Sequence, residues 1–160
     1  MSRAFVTESD REEAFVPPPL ALPPGVPNRI TPDGAARLRA ELAALVAERA
    51  VLRAGGPEAR ARLLVVGPRI TLIEARIPTW VETPCRPQPA TVVFGATVTL
   101  SDGDRERSYR IVGIDEADPA RGWISFLAPI ATAVLGAAVG DLVRVRTPRG
   151  DEELEVVGIR

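Results

Sequence analysis

The fold is decided by two neighbouring stretches, Tyr109-Arg-Ile-Val-Gly-Ile-Asp-Glu-Ala-Asp118 and Gly122-Trp-Ile-Ser-Phe-Leu-Ala-Pro-Ile-Ala-Thr-Ala-Val-Leu-Gly136. The branched residues of the first stretch predict a strand that runs into an acidic loop. The second stretch predicts another strand and then a short helix beginning at Pro129, because proline suits the first position of a helix. This combination predicts a module that binds a partner.

Two predicted hairpins complete a curved, mostly antiparallel sheet around this unit. The run 91–100 and the run 108–114 are rich in branched residues and flank a turn at Ser101-Asp-Gly-Asp104. The last hairpin is expected to close symmetrically on Arg149-Gly150. That closure would place Arg146 opposite Glu153 and Arg144 opposite Glu155, with the valines and Leu154 on the inner face.

The region before the sheet predicts an antiparallel helical hairpin. Thr31 is a capping residue and Pro32 suits the first helical position, and Gly55-Gly56-Pro57 ends the helix that they begin. Apolar residues recur at spacings of three and four in both predicted helices, at Ala35, Leu38, Leu42, Leu45 and Leu52 and at Leu63, Val66, Ile70, Ile73, Ile77 and Trp80. Gly67-Pro68 predicts a kink or a break in the second helix.

The predicted class is therefore α+β, with four segments. Residues 1–29 form a proline-rich tail, in which Phe5-Val6 or Phe15-Val16 could dock on a sheet edge or groove. Residues 30–82 form the helical hairpin, hereafter the arm. Residues 83–90 form a stiff linker, and residues 91–160 form the sheet domain.

Composition excludes several classes of function. The chain has no histidine and one cysteine, Cys85, so it lacks the commonest general base and cannot form an internal disulfide or a multi-cysteine zinc site. No cofactor or metal is expected. The net charge of -1 gives no global attraction to nucleic acid or membranes, and no apolar run reaches membrane-spanning length. We expect a cytoplasmic monomer.

Four separated motifs resemble the C-terminal domain of the GreA/GreB transcription elongation factors. They are Phe94-Gly-Ala-Thr-Val-Thr, the strand and acidic loop of 109–118, Ile124-Ser-x-x-x-Pro-Ile-Ala and Val139-Gly-Asp-Leu-Val. Ile30-Thr-Pro-x-Gly-x-x-x-Leu-x-x-Glu-Leu42 is also similar to the start of that family's helical hairpin. The resemblance implies a coiled coil inserted into the secondary channel of bacterial RNA polymerase and an FKBP-like domain that binds the polymerase outside the channel.

The resemblance implies a polymerase-binding role for Leu127, Ala128, Pro129 and Ile130, hereafter the docking patch. Where the family has Asn or Asp and then Ser before this proline, the chain has Leu127 and Ala128, and the following family arginine is Thr132. The patch is therefore expected to be more apolar than in the family, to face a somewhat different partner surface, or to serve only as packing and a helix start.

The arm tip departs further from the family, whose acidic tip holds a magnesium ion and promotes transcript cleavage. Here the tip contains Gly55, Gly56 and one acid, Glu58, and the arm is shorter. A single carboxylate is a poor magnesium anchor, since that ion is shared among several oxygen ligands. Residues 29–76 hold nine arginines against five acids. Contact with RNA in the transcription complex is therefore considered for Arg49, Arg53, Arg60 and Arg62, beside a plain solvated surface.

These observations predict a polymerase-binding factor that has lost cleavage stimulation, is not an enzyme, and modulates elongation or competes at the secondary channel. Two alternatives stay open. An FKBP-like fold could carry prolyl isomerase activity, although such pockets need clustered aromatic residues. The chain could also be an adaptor that acts without polymerase. Asp115-Glu-Ala-Asp118 is interpreted as turn chemistry and not as a metal site.

Overall fold

The chain forms a helical hairpin joined to a five-stranded sheet, as seen in a computed structural model that describes residues 21–147 and 150–160. The helices and strands are, in chain order, β1 (Asn28–Ile30), α1 (Pro32–Leu52), α2 (Pro57–Arg76), β2 (Trp80–Glu82), β3 (Thr97–Ser101), β4 (Glu106–Val112), β5 (Trp123–Ser125), α3 (Pro129–Val134), β6 (Leu142–Thr147) and β7 (Gly150–Ile159). The α+β class is confirmed.

The arm begins where the sequence predicts. The Thr31 hydroxyl accepts a hydrogen bond from the Gly34 backbone N–H at 3.1 Å, and Pro32 occupies the first helical position. The two helices run antiparallel and are linked across their seam by ion pairs between Arg62 and Glu48 and between Arg69 and Glu41. Burial is confined to the half of the seam nearer the sheet, at Ala35, Leu38, Val66, Ile70 and Ile73.

Of the kink or break predicted at Gly67-Pro68, the break is wrong, because α2 continues through Pro68. The proline lies on the exposed side of the helix, and so does Leu64, whose carbonyl loses the hydrogen bond that Pro68 cannot donate. Solvent can hydrate that carbonyl. The Thr71 hydroxyl donates to the Gly67 carbonyl at 3.2 Å, which satisfies a second acceptor in this turn.

The sheet has the strand order β5-β4-β3-β7-β6, in which every neighbouring pair except β4-β5 is antiparallel. Its inner face packs on α3, and the buried core consists of Val92, Val98, Leu100, Ile111, Ala131, Val134, Val143, Val145 and Val156. The helix begins at Pro129 as predicted. The strand predicted from residue 91 begins only at Thr97, because Gly95, with a φ of 86°, turns the chain before it. Thr91 makes only an isolated bridge to Ala138.

The predicted register of the last hairpin is wrong by two residues. Thr147 pairs with Gly150, so Arg144 lies opposite Glu153 and Arg146 lies opposite Asp151. The hydroxyl of Thr147 donates to the Gly150 carbonyl at 2.8 Å and fixes this closure. A slip of two residues leaves each side chain on the predicted face, since the side-chain period of a strand is two. The valines of β6 therefore remain buried.

A short parallel pair, β1 with β2, joins the two ends of the arm and was not predicted. Asn28 pairs with Trp80 and Ile30 pairs with Glu82. Ile30 is fully buried in a small cluster with Ala35, Leu38 and the half-buried Trp80. Both ends of the helical hairpin are thereby held at one place beside the sheet.

Three predictions are not tested by the described residues. The FKBP-like character of the sheet domain is one of them. The proposed docking of Phe5-Val6 or Phe15-Val16 and the loop position Arg149 lie outside the described residues. Within the described part of the chain, no helix is both long and apolar enough to cross a membrane.

Replacing Gly67 by alanine should stabilise the protein by less than the about 0.5–1 kcal/mol that alanine ordinarily gains over glycine in a helix interior, because a side chain on the residue before a proline crowds the proline ring. Apart from the two neighbouring residues and the backbone of α2 itself, no atom lies within 4 Å of the position that the new methyl group would occupy. Urea unfolding measures the change, and Ala61→Gly on the exposed face of the same helix is the matched control, which should lose the full amount of about 0.5–1 kcal/mol. A gain in Gly67→Ala as large as the loss in Ala61→Gly would show that Pro68 does not crowd the residue before it.

Candidate functional site

Asp115 is the point at which the acidic loop binds the base of the arm. Its carboxylate accepts hydrogen bonds from Arg76 Nε at 2.8 Å, Trp80 Nε1 at 2.8 Å and Asn28 Nδ2 at 2.9 Å. The side chains of Asp115 and Arg76 are only 16% and 17% exposed, so the ion pair is largely shielded from water. One carboxylate thus holds α2, β1 and β2 against the sheet domain.

Glu116 makes the second attachment and is almost fully buried, with 2% exposure. It accepts from the Thr31 backbone N–H at 2.8 Å, from the Thr31 hydroxyl, and from the Gly113 backbone N–H at 2.9 Å. A side chain on Gly34 would overlap Glu116, and a side chain on Gly113 would overlap the Arg29 carbonyl. Glycine is therefore required at both positions for the arm and the loop to approach this closely.

The interpretation of 115–118 as turn chemistry is thus incomplete. Asp118 fits it, since its carboxylate accepts from the Ala120 backbone N–H at 3.2 Å and caps a short 3-10 turn. Asp115 and Glu116 instead fasten the arm, and five of the six hydrogen bonds that they accept come from positions 28–80. Local sequence does not show which distant donors these two carboxylates meet. The only sequence features that point to the joint are the acidic pair Asp115-Glu116, shortly after the buried end of β4, and Gly34 in the first turn of α1.

Arginines gather around Trp123 beside this joint. The guanidinium carbons of Arg37, Arg110 and Arg121 lie 5.0, 5.5 and 4.4 Å from the ring centroid. Arg110 also donates two hydrogen bonds to Asp33, at 2.7 and 3.0 Å. These bonds hold the pKa of the Asp33 carboxyl below its ordinary value of 3.8 and raise the pKa of Arg110.

The docking patch lies between β5 and the start of α3. Ala128 and Ile130 pack against the core of the sheet domain, whereas Pro129 is exposed and Leu127 is half-buried. The hydroxyl of Thr132 donates to the Pro129 carbonyl at 3.0 Å, so it is engaged within its own helix. The surface that the patch offers is therefore apolar and small.

The arm tip is separate from the docking patch. Gly55, Gly56 and Glu58 are exposed, and Glu58 lies in the first turn of α2. The tip stands about 30 Å from the base of the arm, given the rise of a helix with the length of α1. Among the described residues there is no group of three acidic or cysteine side chains that could hold a metal ion.

The four arginines considered for RNA contact are not equivalent. Arg62 donates to both carboxylate oxygens of Glu48, at 2.6 and 3.3 Å, and this hydrogen bonding lowers the pKa of Glu48 and raises the pKa of Arg62. In residues 21–147 and 150–160, Arg49, Arg53 and Arg60 form no ion pair. Arg53 and Arg60 are exposed near the tip, while Arg49 is half-buried.

Comparison with known proteins gives one consistent result. Residues 87–160 match the family described as "Transcription elongation factor, GreA/GreB, C-term". The transcription elongation factor GreA of Rhodospirillum rubrum is 38% identical over 150 residues, which cover 82% of this chain and 96% of that protein. GreA of Desulfovibrio desulfuricans is 50% identical over 70 residues, which cover 42% of this chain.

Coverage differs among these relatives. The match spans less than half the length of some of them, with 43% for the Desulfovibrio desulfuricans protein and 45% for GreA of Thioalkalivibrio sulfidiphilus. Among solved structures, the GreA factor homolog 1 (Gfh1) protein of Thermus thermophilus aligns with a TM-score of 0.41 and 23% identity. That alignment covers 84% of this chain and 99% of that one.

Replacing Asp115 by alanine should lower the free energy of unfolding by about 2–4 kcal/mol, because Arg76, Trp80 and Asn28 would lose a shared acceptor in a shielded site. Urea unfolding measures the loss, and a red shift of the tryptophan fluorescence, to which Trp80 and Trp123 both contribute, reports the loosening of the arm. The control is Asp104→Ala in the exposed β3-β4 turn. Equal, small losses in both variants would show that the joint does not depend on Asp115.

The Asp33–Arg110 pair should make stability depend on acid pH. Because the pKa of Asp33 is lowered in the folded state, its contribution is present above the ordinary value near 3.8 and is lost as the pH falls through the lowered value. The effect on stability is small, since Asp33 is 58% exposed. In Arg110→Gln the midpoint of Asp33, followed by carboxyl ¹³C NMR, should move back towards 3.8.

Asp102 is the internal control for that titration. Backbone hydrogen bonds from Arg105 and Asp104 lower its pKa, and Arg110 is not among the causes. Its midpoint should stay unchanged in Arg110→Gln. An unchanged midpoint for Asp33 would instead mean that the ion pair does not persist in solution.

Proposed function

Because this chain belongs to the GreA/GreB family of transcription elongation factors, we propose that it binds bacterial RNA polymerase and modulates elongation without stimulating transcript cleavage. In this proposal the sheet domain attaches to the polymerase, and the arm reaches the mouth of the secondary channel. The protein then competes with factors that do stimulate cleavage, and it catalyses no reaction itself.

The observation that carries this proposal is the chemistry of the arm tip. Glu58 is the only acidic residue between Glu48 and Glu74, and it is exposed at the start of α2. An acid at that position is favoured by the positive end of the helix dipole, which gives it a role without any metal. Magnesium is bound by several oxygen ligands, so an arm tip that holds this ion needs more than one carboxylate.

The docking patch supports attachment through a small apolar contact. Pro129 is exposed and Leu127 is half-buried, while the neighbouring Ala128 and Ile130 are fixed by packing on the core. A rigid support for a few exposed apolar atoms is the arrangement expected of an interface anchor. The polar groups that the family carries in this segment are absent from the sequence, so contact here would rest on shape and burial of apolar surface.

The tip arginines favour contact with phosphate over contact with a metal. Arg53 and Arg60 are exposed and have no acidic partner among the described residues, whereas Arg62 is held by Glu48. Free guanidinium groups at the end of an arm would be drawn to the RNA or DNA backbone of a transcription complex. Arg53 and Arg60 are therefore the stronger candidates, and Arg62 is the weaker one.

The prolyl isomerase alternative has less support. The groove on the inner face of the sheet is lined by only one aromatic side chain among the described residues, Tyr109. Phe94 and Phe126 pack edge to face on each other, with ring centroids 5.8 Å apart. Aromatic surface is thus used inside the domain and does not form a pocket for a proline ring. The adaptor alternative depends on the tail, which lies outside the described residues.

Leu127→Asp should weaken binding of the purified chain to RNA polymerase by about tenfold or more, because it puts a charge into an apolar contact. Fluorescence anisotropy of the labelled chain measures the dissociation constant. Val81→Asp, a similar change at a half-exposed residue away from the docking patch, is the control and should bind as the wild type does. Equal binding by all three proteins would contradict attachment through the patch.

The chain should not accelerate RNA cleavage in backtracked complexes, and it should slow cleavage driven by an authentic cleavage factor in a dose-dependent way. Robust cleavage that disappears in Glu58→Ala would contradict the proposal.

Arg53→Gln with Arg60→Gln should reduce the salt dependence of binding to an elongation complex by about one unit of slope for each phosphate that is no longer neutralised. Arg62→Gln is the matched control and should change the slope less.

A further inference from the structure

The inner face of the sheet is only partly covered by α3. This helix has six residues and is about 9 Å long, whereas β7 has ten residues and spans about 33 Å. Beyond the helix, a groove of about 410 Å³ opens at the end of the sheet that carries the β3-β4 and β6-β7 turns. The apolar face of a sheet ordinarily packs against another part of the chain. Among the described residues, no such segment fills this groove.

Apolar surface is spread across the whole groove. Tyr109 on β4, Leu154 on β7 and Ile130 in the first turn of α3 line it, and all three are half-buried. The buried side chains of Leu100 and Val145 form its floor. A large apolar side chain placed here would remove water from all three partly exposed residues at once, which is favourable.

The charged residues around the groove balance one another. Arg105 and Arg107 are matched by Asp102 and Glu152. Net charge therefore attracts neither a phosphate nor a strongly acidic or basic peptide to this place. The groove selects its occupant by apolar surface instead.

The tail contains apolar segments of the required kind. The triplet Ala-Phe-Val occurs at residues 4–6 and again at residues 14–16. These triplets hold two of the four phenylalanines of the chain, and the other two, Phe94 and Phe126, pack on each other inside the sheet domain. A phenylalanine and a valine gain free energy when they leave water for an apolar surface.

The tail is long enough to bring the second triplet to the groove. It enters the fold at β1, where the Arg29 carbonyl lies against Gly113, just after β4. Tyr109 lies four residues back along that strand, about 13 Å away. Phe15 precedes Arg29 by 14 residues, which span up to about 50 Å when extended. The first triplet would close a longer loop at a higher cost in entropy, which favours the second.

We propose that Phe15-Val16 occupies this groove and completes the cover of the sheet. The Phe15 ring packs against Tyr109 and Leu154 in this arrangement. Ile130 belongs to both the groove and the docking patch, so an occupied groove leaves less apolar surface for a partner at the patch. This shielding of the patch rests on the proposed function, whereas the contact between the tail and the groove does not.

The test uses Tyr109, which is the only tyrosine of the chain and lines the groove. Labelling with 3-fluorotyrosine therefore gives one ¹⁹F NMR signal. In the full chain, Phe15→Ala should shift this signal towards that of free 3-fluorotyrosine, because water replaces the phenylalanine ring. Phe5→Ala makes the same change in an identical triplet and should leave the signal in place. No shift in Phe15→Ala, or equal shifts in both variants, would overturn the inference.

A nitroxide label on the tail tests the proximity directly. Attached at Glu12→Cys, with Cys85→Ser to leave a single thiol, the label should remove most of the intensity of the Tyr109 signal. Attached at Ser2→Cys, three residues before Phe5, it should remove much less. The loss should persist on dilution, since the contact lies within one chain. Equal losses from both labels, or a loss that disappears on dilution and so belongs to the tail of a second copy, would overturn the proposal.

Polymerase binding tests the shielding separately. Phe15→Ala should bind RNA polymerase about threefold more tightly than the wild type, because the covered form no longer takes up part of the binding-competent population. Phe5→Ala should bind as the wild type does. An unchanged affinity in Phe15→Ala would overturn the shielding of the patch. Failure of all three proteins to bind polymerase would contradict the proposed function alone, since the ¹⁹F measurements contain no polymerase.

Discussion

The structure depends on two adjacent carboxylates, Asp115 and Glu116, which turn a helical hairpin and a sheet into one joined unit. Between them they accept six hydrogen bonds, five of which come from the segment that contains the arm. Buried carboxylates are tolerated only when their acceptor capacity is filled. The same bonds that remove this cost also fix where the base of the arm lies.

The sheet domain and the outer half of the arm, on either side of this joint, are stabilised in different ways. The sheet domain is stabilised by its own apolar core, so the docking patch rests on a rigid support that is independent of the arm. The outer half of the arm buries little and is held chiefly by cross-helix ion pairs, which are weak on an exposed surface. Such an arm can change its tip chemistry without cost to the fold. That freedom is consistent with the single acid at the tip.

Arginine takes on several roles at this junction because the chain contains no lysine. Arg76 pairs with Asp115, Arg110 pairs with Asp33, and Arg37 stacks on Trp123 while keeping one nitrogen unpaired. Planar guanidinium groups can hydrogen bond in the plane and stack on its faces at the same time.

Sequence by itself determined what local pattern encodes: the capped start of α1, the helix at Pro129, the alternation of β6 and β7, and the family of the C-terminal half. Each rests on residues within a few positions of one another, where backbone geometry dictates the spacing. Only the tertiary structure decided which donors Asp115 and Glu116 would meet, since Thr31 lies 85 residues from Glu116. It also decided the β1-β2 pair, the hairpin register and the survival of α2 through Pro68, because each depends on burial or pairing that no local pattern specifies.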